Sequence, residues 1–433
     1  MCMLLAVSMA SAETVDAPAA FICDFHSHCA AADGVGDAGT LSPEKQLELR
    51  AKAGYQVVFW TPHSNLAWPK GKDPAPLARL LKRIPLLKSE TVTWFGGVEY
   101  HVANGPKFSS GMLGNNNHLS FIGISEPIPD GLSYVMAIEY LHALGGVTVV
   151  NHPGPGPLEW EPGYYETGYR LSILDGFECF NGRLVYAGHL EDSTYRTLVA
   201  KGARLAAIGS TDFHYPADPL GAGTSVFAKS SELADLVAAV SERKTVALTD
   251  TSLAPKHVEY LGEVRMLKET GSLSIELGYV ADKLILFRGE EIAGEWKNAG
   301  HAEFKLLPGL AGAYSWVVQK GKGRFQSSAI WLLDSEPKGA DLQLSQDGGM
   351  VTVTNVGNLE IECEIREYDA APHKGGKVVK SHPVRIAPGE NRVLPSKLRK
   401  GAFVVANPAG YSFEAQGPEA LELDYRNNAI LVK

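Results

Sequence analysis

The chain is poor in cysteine, and none of its cysteines stand in C-x-x-C spacing. Five are present in 433 residues, at positions 2, 23, 29, 179 and 363. Their wide separation removes the short-spaced cysteine motifs from consideration. Cys23, Cys179 and Cys363 lie in or beside runs that read as strands, so buried free thiols are the plain reading. An oxidising compartment would permit a disulfide, but spacing alone pairs none of them. Basic runs are missing as well. Lys397-Leu398-Arg399-Lys400 is the densest and is too short, and 40 Lys+Arg against 49 Asp+Glu give a net charge of −9. A non-specific nucleic-acid binder presents a basic face, so no nucleic-acid partner is expected. No stretch of about 20 apolar residues occurs, so no membrane span is expected. A fixed-period repeat and low-complexity tracts are also lacking. What remains, 45% hydrophobic and 21% charged residues, is ordinary globular material, long enough for two or three domains.

The N-terminus carries a short apolar run from Met3 to Met9, closed by Ala10-Ser11-Ala12. That is an A-x-A cleavage pattern without the usual positive residues ahead of it. Residues 1–12 read as a signal peptide, and a periplasmic or secreted protein is expected.

The chain is organised around one stretch: Asp24-Phe25-His26-Ser27-His28, then Asp33-Gly34. Ala20-Phe21-Ile22-Cys23 before it reads as a strand. On a strand, residues i and i+2 face the same side, so both imidazoles can reach one metal. The pattern then repeats. Ser42-Pro43-Glu44 opens a helix with a capping serine and proline at the first position, and Gly54 stops it. Tyr55 to Trp60 is a buried strand ending at Thr61-Pro62-His63. A helix is expected from Pro76 to Leu87. Val92 to Glu99 is a strand ending in a carboxylate, which in apolar surroundings needs a cation or metal partner. His118 opens another strand. A helix from Leu132 to Leu144 leads to the strand Val147–Val150 and then Asn151-His152-Pro153. Gly176 to Asn181, a helix from Leu190 to Ala200, and Leu205 to Ser210 lead to Thr211-Asp212-Phe213-His214. A last helix spans Ser231 to Arg243. Strand–helix–strand alternation of this kind suggests a parallel α/β domain. Beyond residue 258 helical periodicity disappears. Leu273–Leu277, Val351–Thr354 and Ile361–Ile365 alternate strictly, as antiparallel sandwich strands do. The expected division is an α/β domain over 20–257 and two β-sandwich domains over 258–335 and 338–433. Trp296, Trp316 and Trp331 read as core packing, with carbohydrate stacking as the rival.

Nine candidate ligands thus stand at or near strand ends: His26, His28, Asp33, His63, Glu99, His118, His152, Asp212 and His214. Packing gives a chain no reason to end successive strands on such residues. Asn181 and Arg183 follow another strand end. Arg183 is a candidate catalytic residue for holding an anionic group, a loop salt bridge being the alternative.

In order and spacing, His26-x-His28 with Asp33-Gly34, His63, Gly97-Val98-Glu99, His118, Asn151-His152-Pro153 and Gly209-Ser210-Thr211-Asp212-Phe213-His214 resemble the motifs of the PHP (polymerase and histidinol phosphatase) superfamily. The likeness covers about residues 20–250. The export signal and β-rich tail are similar to its CehA/McbA-type metallohydrolases. The resemblance implies a distorted (β/α)7 barrel followed by antiparallel β-sandwiches, with two or three divalent metals (zinc, manganese or iron). It places His26, His28, Glu99 and Asp212 on one metal and Asp33, His63 and His214 on a second. His118 and His152 fall on a third, bridged by Glu99. Thr61-Pro62-His63 departs from the family's frequent Thr-Asp-His, so the second metal lacks a partner behind its ligand. The amidohydrolases also begin with His-x-His but lack Asp33 and the closing Asp-x-His. The implied function is an exported metal-dependent hydrolase acting on a small anionic phosphoester, with Glu99 and Asp212 catalytic through the metals. A carbamate, ester or amide hydrolase using the same centre is the alternative, and a non-catalytic binding module the third reading.

Overall fold

Helix formation follows the local signals. In the computed structural model Ser42 Oγ accepts from the Lys45 amide at 3.4 Å, and Pro43 begins a helix that runs Pro43–Lys52. Gly54 follows it at φ +84°, a backbone that only glycine adopts without strain. The structure describes residues 19–30, 39–63, 82, 89–101, 109–110, 114–115, 118–124, 134–153, 174–186, 190–200, 203–334, 339–347, 350–356, 360–370, 376–394, 398–408, 422–424 and 429–432. Residues 1–12, Asp33 and nearly all of the helix expected over 76–87 lie outside them.

The first half of the chain runs β1 (Ala19–Asp24), β2 (Val57–Trp60), β3 (Thr93–His101), the short pair β4 (Ser109–Ser110) and β5 (Gly114–Asn115), and β6 (His118–Ile122). A helix, Tyr134–Ala143, precedes β7 (Val147–Val150) and β8 (Gly176–Asn181). Helices Gly182–Tyr186 and Asp192–Ala200 lead to β9 (Ala206–Ser210), then β10 (Gly223–Ala228), helix Leu233–Ser241 and β11 (Thr245–Leu248).

The expected (β/α)7 barrel is not what these strands build. Among the described residues the whole chain has five α-helices against 26 strands, and all of β1 to β11 except the β4–β5 pair join a mixed sheet of 16. Among the described residues, parallel ladders in this half join β1–β2–β3 and β7–β8–β9, and isolated parallel bridges, Ser27↔Phe213 and His63↔Glu99, lie beyond the strand ends. Between these blocks, β6 pairs antiparallel with both β3 and β7, and β10 pairs antiparallel with β1 and β11. An antiparallel neighbour needs no helical crossover, so the strict alternation fails where β6 and β10 enter. The sheet curls until β9 meets β10 and β11. Gly209 is obligatory at that meeting, because a Cβ there would lie 2.4 Å from Gly223 O. Inside, Phe25 stacks on Phe59 with ring centroids 4.8 Å apart. Truncating either buried ring to alanine would cost about 3–5 kcal/mol.

The same sheet crosses residue 257. β11 pairs antiparallel with β17 (Gly323–Ser327) through Val246↔Ser327 and Leu248↔Phe325. Around β17 lie β12 (His257–Val258), β13 (Val264–Met266), the long hairpin β14 (Ser272–Arg288) and β15 (Glu291–Lys305), β16 (Gly312–Lys320) and β18 (Ile330–Leu333). Trp316 and Trp331 are buried there, and Trp296 packs on Trp316 at 5.4 Å. Asp192 fastens the junction, accepting from Arg196 Nη1 at 2.6 Å and from Arg324 Nη2 at 2.5 Å. Farther on, β19 (Gly339–Asp347), β20 (Met350–Asn355), β21 (Ile361–Tyr368), β22 (Val378–Ile386), β23 (Asn391–Val393), β24 (Phe403–Pro408), β25 (Glu422–Asp424) and β26 (Ala429–Leu431) form two four-stranded sheets. Alternate residues of β20 and β21, among them Val351, Val353, Cys363 and Ile365, are buried in a shared core. The four described cysteines, Cys23, Cys29, Cys179 and Cys363, are buried. No helix among the described residues is long and apolar enough to cross a membrane.

Candidate metal centre

The strand ends are laced together just beyond their last paired residues. The Asp212 amide donates to His26 O and the His28 amide to Phe213 O, both at 2.9 Å. The Thr61 amide donates to Ser27 O at 2.9 Å and the Glu99 amide to Pro62 O at 3.0 Å. These bonds carry the segments after β1, β2 and β9 toward Glu99 on β3. His26 Nε2 lies 3.1 Å from His28 Nε2, and Asp212 Oδ1 lies 3.3 Å from His214 Nδ1, so each pair faces one side just past its strand.

Glu99 sits at the centre. Its Oε1 lies 3.2 Å from His26 Nε2, 2.6 Å from His118 Nδ1 and 2.9 Å from His152 Nε2. Its Oε2 lies 3.2 Å from His28 Nε2 and 3.0 Å from His63 Nε2. Asp212 Oδ1 closes the far side, 3.4 Å from His26 Nε2, 3.5 Å from His28 Nε2 and 3.3 Å from His214 Nδ1. Eight of the nine expected ligands therefore meet in one place, and Asp33 is outside the described residues. Four overlapping triads have donor atoms within 4.8 Å of one another and could hold a metal: His26–His28–Asp212, His28–His63–His214, His26–Glu99–His152 and His63–Glu99–His118. His28 thus joins His63 and His214 as well as the group implied by the PHP resemblance.

Two of these residues have backbones that side chains rarely adopt: His152 at φ +26° and Asp212 at φ +52°. Strain of this kind persists only where surroundings enforce it.

Charge follows from crowding. Burial opposes ionisation of Glu99 and Asp212, but the surrounding imidazoles outweigh it and hold both carboxyls well below their usual range. For Glu99 those are His118, His26 and His63; for Asp212, His26, His28, His214 and His152. Burial likewise opposes protonation of His26, where Glu99, Asp212 and Glu178 prevail and raise its pKa. Burial wins at His118 and His214, each lowered to about 4, with His28 and Arg183 adding to the effect at His214. His214 Nδ1 lies 2.8 Å from Asp212 O. A proton donated there leaves Nε2 bare for a ligand.

Arg183 stands at the rim, its side chain 34% exposed, with Nη1 3.3 Å from His214 Nδ1 and 3.9 Å from Asp212 Oδ2. Its Nε is 4.0 Å from Asp218 Oδ1. Asn181 Nδ2 donates to Asp212 Oδ2 at 3.3 Å and to Glu178 Oε2 at 3.1 Å.

Sequence reasoning passed over two groups behind the ligands. Glu178, fully buried in mid-strand, contacts His26 and the backbone of His152. Asp24 and Arg50, both fully buried, tie β1 to Thr211. The signal for Glu178 was its place, an acid inside the otherwise apolar Gly176-Phe177-Glu178-Cys179-Phe180.

No family model and no curated protein matches the chain. Among solved structures, it is similar to the fibronectin(III)-like modules of Clostridium thermocellum CbhA, at 15% identity over 36% of this chain and 86% of that one, with a TM-score of 0.15. A β-glycosidase from Bacteroides vulgatus aligns at 12% identity over 41% of this chain and 26% of that one, TM-score 0.17. A GH2 β-galacturonidase from Eisenbergiella tayi aligns at 9% identity over 38% and 33%, TM-score 0.13. The chain spans a third or less of the length of those two enzymes. Likeness at this level assigns neither fold nor activity.

Proposed function

We propose that the chain is an exported metal-dependent hydrolase of the PHP type, acting on a small anionic phosphoester. The observation that carries this is the convergence of five imidazole nitrogens within 3.2 Å of the two Glu99 oxygens. A carboxylate offers about four lone-pair sites, so it cannot accept from all five in good geometry. His26 Nε2 and His28 Nε2 also face each other at 3.1 Å. Protonating every ring would crowd positive charge, and keeping every ring neutral would leave the buried carboxylates Glu99 and Asp212 without cations. Cations among the donors relieve both conflicts, so the donor set fits divalent metals.

His26, His28, Glu99 and Asp212 would hold one metal, His63 and His214 a second with His28 beside them, and His118 and His152 a third with Glu99 shared. When bound, such metals supply Lewis acidity and a water of lowered pKa. The chain's own residues do the rest. His118 and His214 are neutral above about pH 4 and so are ready to ligate at neutral pH. Glu99 and Asp212 stay anionic and balance the cations. Arg183, at the rim, holds the substrate's anionic group and orients it toward the centre. The test is elemental analysis of gently purified protein beside turnover of a panel of phosphoesters and carbamates. Two or three equivalents of zinc, manganese or iron with phosphoester turnover supports the reading. Less than one equivalent, not restored by added metal, removes it.

One observation favours a second reading, carbamate, ester or amide hydrolysis. Arg183 lies about equally near Asp212 and Asp218, and two carboxylates within 4.0 Å offset its charge. A neutral carbonyl substrate needs no free cation at that rim.

A further inference from the structure

We infer that Glu178 is a positioning residue of the centre, a single carboxylate that sets both His26 and His152. The inference rests on the proposed metal centre for its consequence, but its geometry stands alone. Glu178 is wholly buried, and nothing cationic is needed to explain its place, because four donors surround it. Oε1 lies 3.2 Å from His26 Nδ1 and accepts from Ser210 Oγ at 2.5 Å. Oε2 accepts from the His152 backbone amide in a short hydrogen bond and from Asn181 Nδ2 at 3.1 Å.

Each oxygen therefore governs one ligand. A carboxylate facing His26 Nδ1 keeps a proton on that nitrogen and leaves Nε2 directed at Glu99, Asp212 and His28. On the other side, His152 holds φ +26°, a conformation that needs an outside restraint. The charge-assisted bond from its amide to Oε2 is that restraint, and it aims His152 Nε2 at Glu99 Oε1, 2.9 Å away. His26 and His152 come from distant segments of the chain and share one triad, His26–Glu99–His152. Glu178 is the group that touches both from behind. An amide cannot replace it. Glutamine offers one oxygen and one NH2, so it must turn a donor toward either His26 Nδ1 or the His152 amide.

Glu178→Gln tests this in two measurements. In metal-free protein, the His152 amide proton should lie far downfield in the NMR spectrum and exchange slowly with solvent. Glu178→Gln should move it upfield and speed exchange at least tenfold. In metal-loaded protein, chelator competition should show one equivalent held about 10–100-fold more weakly, while metal bound through His28, His63 and His214 keeps its affinity. Ser210→Ala removes a donor from the same carboxylate without touching a ligand and should leave both readouts near wild type. Should Glu178→Gln not fold, Glu178→Asp takes its place. One methylene shorter, it cannot reach both donors, and the same partial loss is expected. Unchanged exchange of the His152 amide, or uniform weakening of every metal, overturns the inference. If the wild-type protein takes up no zinc, manganese or iron, the metal reading falls, and the exchange measurement still decides the role of Glu178.

Discussion

Replacing Arg50 with methionine should destabilise the protein by about 3–5 kcal/mol, the typical cost of breaking one side of a buried ion pair. The guanidinium is fully buried. Nη1 donates to Asp24 Oδ2 and, at 3.2 Å, to Thr211 Oγ1; Nη2 donates to Ser27 Oγ at 2.6 Å. Its charge also lies over the rings of Phe213 and Tyr55, at 5.0 and 5.2 Å. Methionine fills much of the volume but leaves Asp24, itself fully buried, as an unpaired anion. Asp24 would keep the Thr211 amide at 3.0 Å and the Thr211 hydroxyl at 2.6 Å, which places the loss at the lower end, about 3 kcal/mol. Asp24→Asn should cost a similar amount, because Arg50 then loses its anion. The double variant should recover about 2 kcal/mol of the summed losses, as contacting residues do. Urea denaturation followed by far-UV circular dichroism, on wild type, both single variants and the double, measures the cycle. Losses under about 1 kcal/mol in the single variants, or additivity within about 0.5 kcal/mol, would refute the reasoning. Asp24 also holds the Thr211 amide, one residue before Asp212, so the same variants should weaken metal retention.

Glu99→Gln should release at least one metal and lower turnover well beyond the 10–100-fold typical of a change behind a ligand; undiminished turnover on every substrate would remove the hydrolase mechanism. Arg183→Ala should raise KM for a phosphoester more than it lowers kcat and leave a neutral carbamate nearly unchanged, which separates the two readings by kinetics. Glu191 is pushed up to about 7 by burial. Its raised folded pKa favours folding below about pH 4.5, and that contribution is lost as pH rises to about 7. The shift corresponds to at most about 3 kcal/mol, so Glu191→Gln should stabilise the protein at pH 8 and the gain should vanish below about pH 4.5, as denaturation at both pH values would show.

The residues that meet at the candidate site were legible because of their spacing. His26-x-His28 and Asp212-x-His214 each fall where an apolar run stops, although Asp212 itself, at φ +52°, leaves the extended conformation that the spacing suggests. Helix starts were legible for a similar reason: Ser42 and Pro43 act locally. The sheet was not. Whether β6 runs with or against β3 depends on how the chain returns from His101, and no period in β6 itself records it. Glu178 and Asp24 escaped notice because an acid in an apolar run reads the same whether it faces core or site. Arg50 hid more completely, since an arginine in the last turn of a helix is an ordinary solvent-facing choice. The continuity of β11 with β17 was hidden too, because the texture change near residue 258 suggests a boundary that the hydrogen bonds ignore.

That continuity sets a clock on synthesis. Thr245–Leu248 can pair with β10 as soon as it leaves the ribosome, since Gly223–Ala228 precedes it. Its other edge waits for Phe325–Ser327, and Ala207 waits for the hydroxyl of Ser328 that its amide bonds at 2.9 Å. At about 5–20 residues per second, the interval between Val246 and Ser327 is roughly 4–16 s. For that time the nascent chain carries the ligand-bearing strands beside an open β edge, the feature most prone to pairing with a neighbour. Chains stalled on the ribosome near residue 300, with β11 emerged and β17 not yet made, should therefore be cut by protease within β11, and chains stalled well beyond residue 334 should resist.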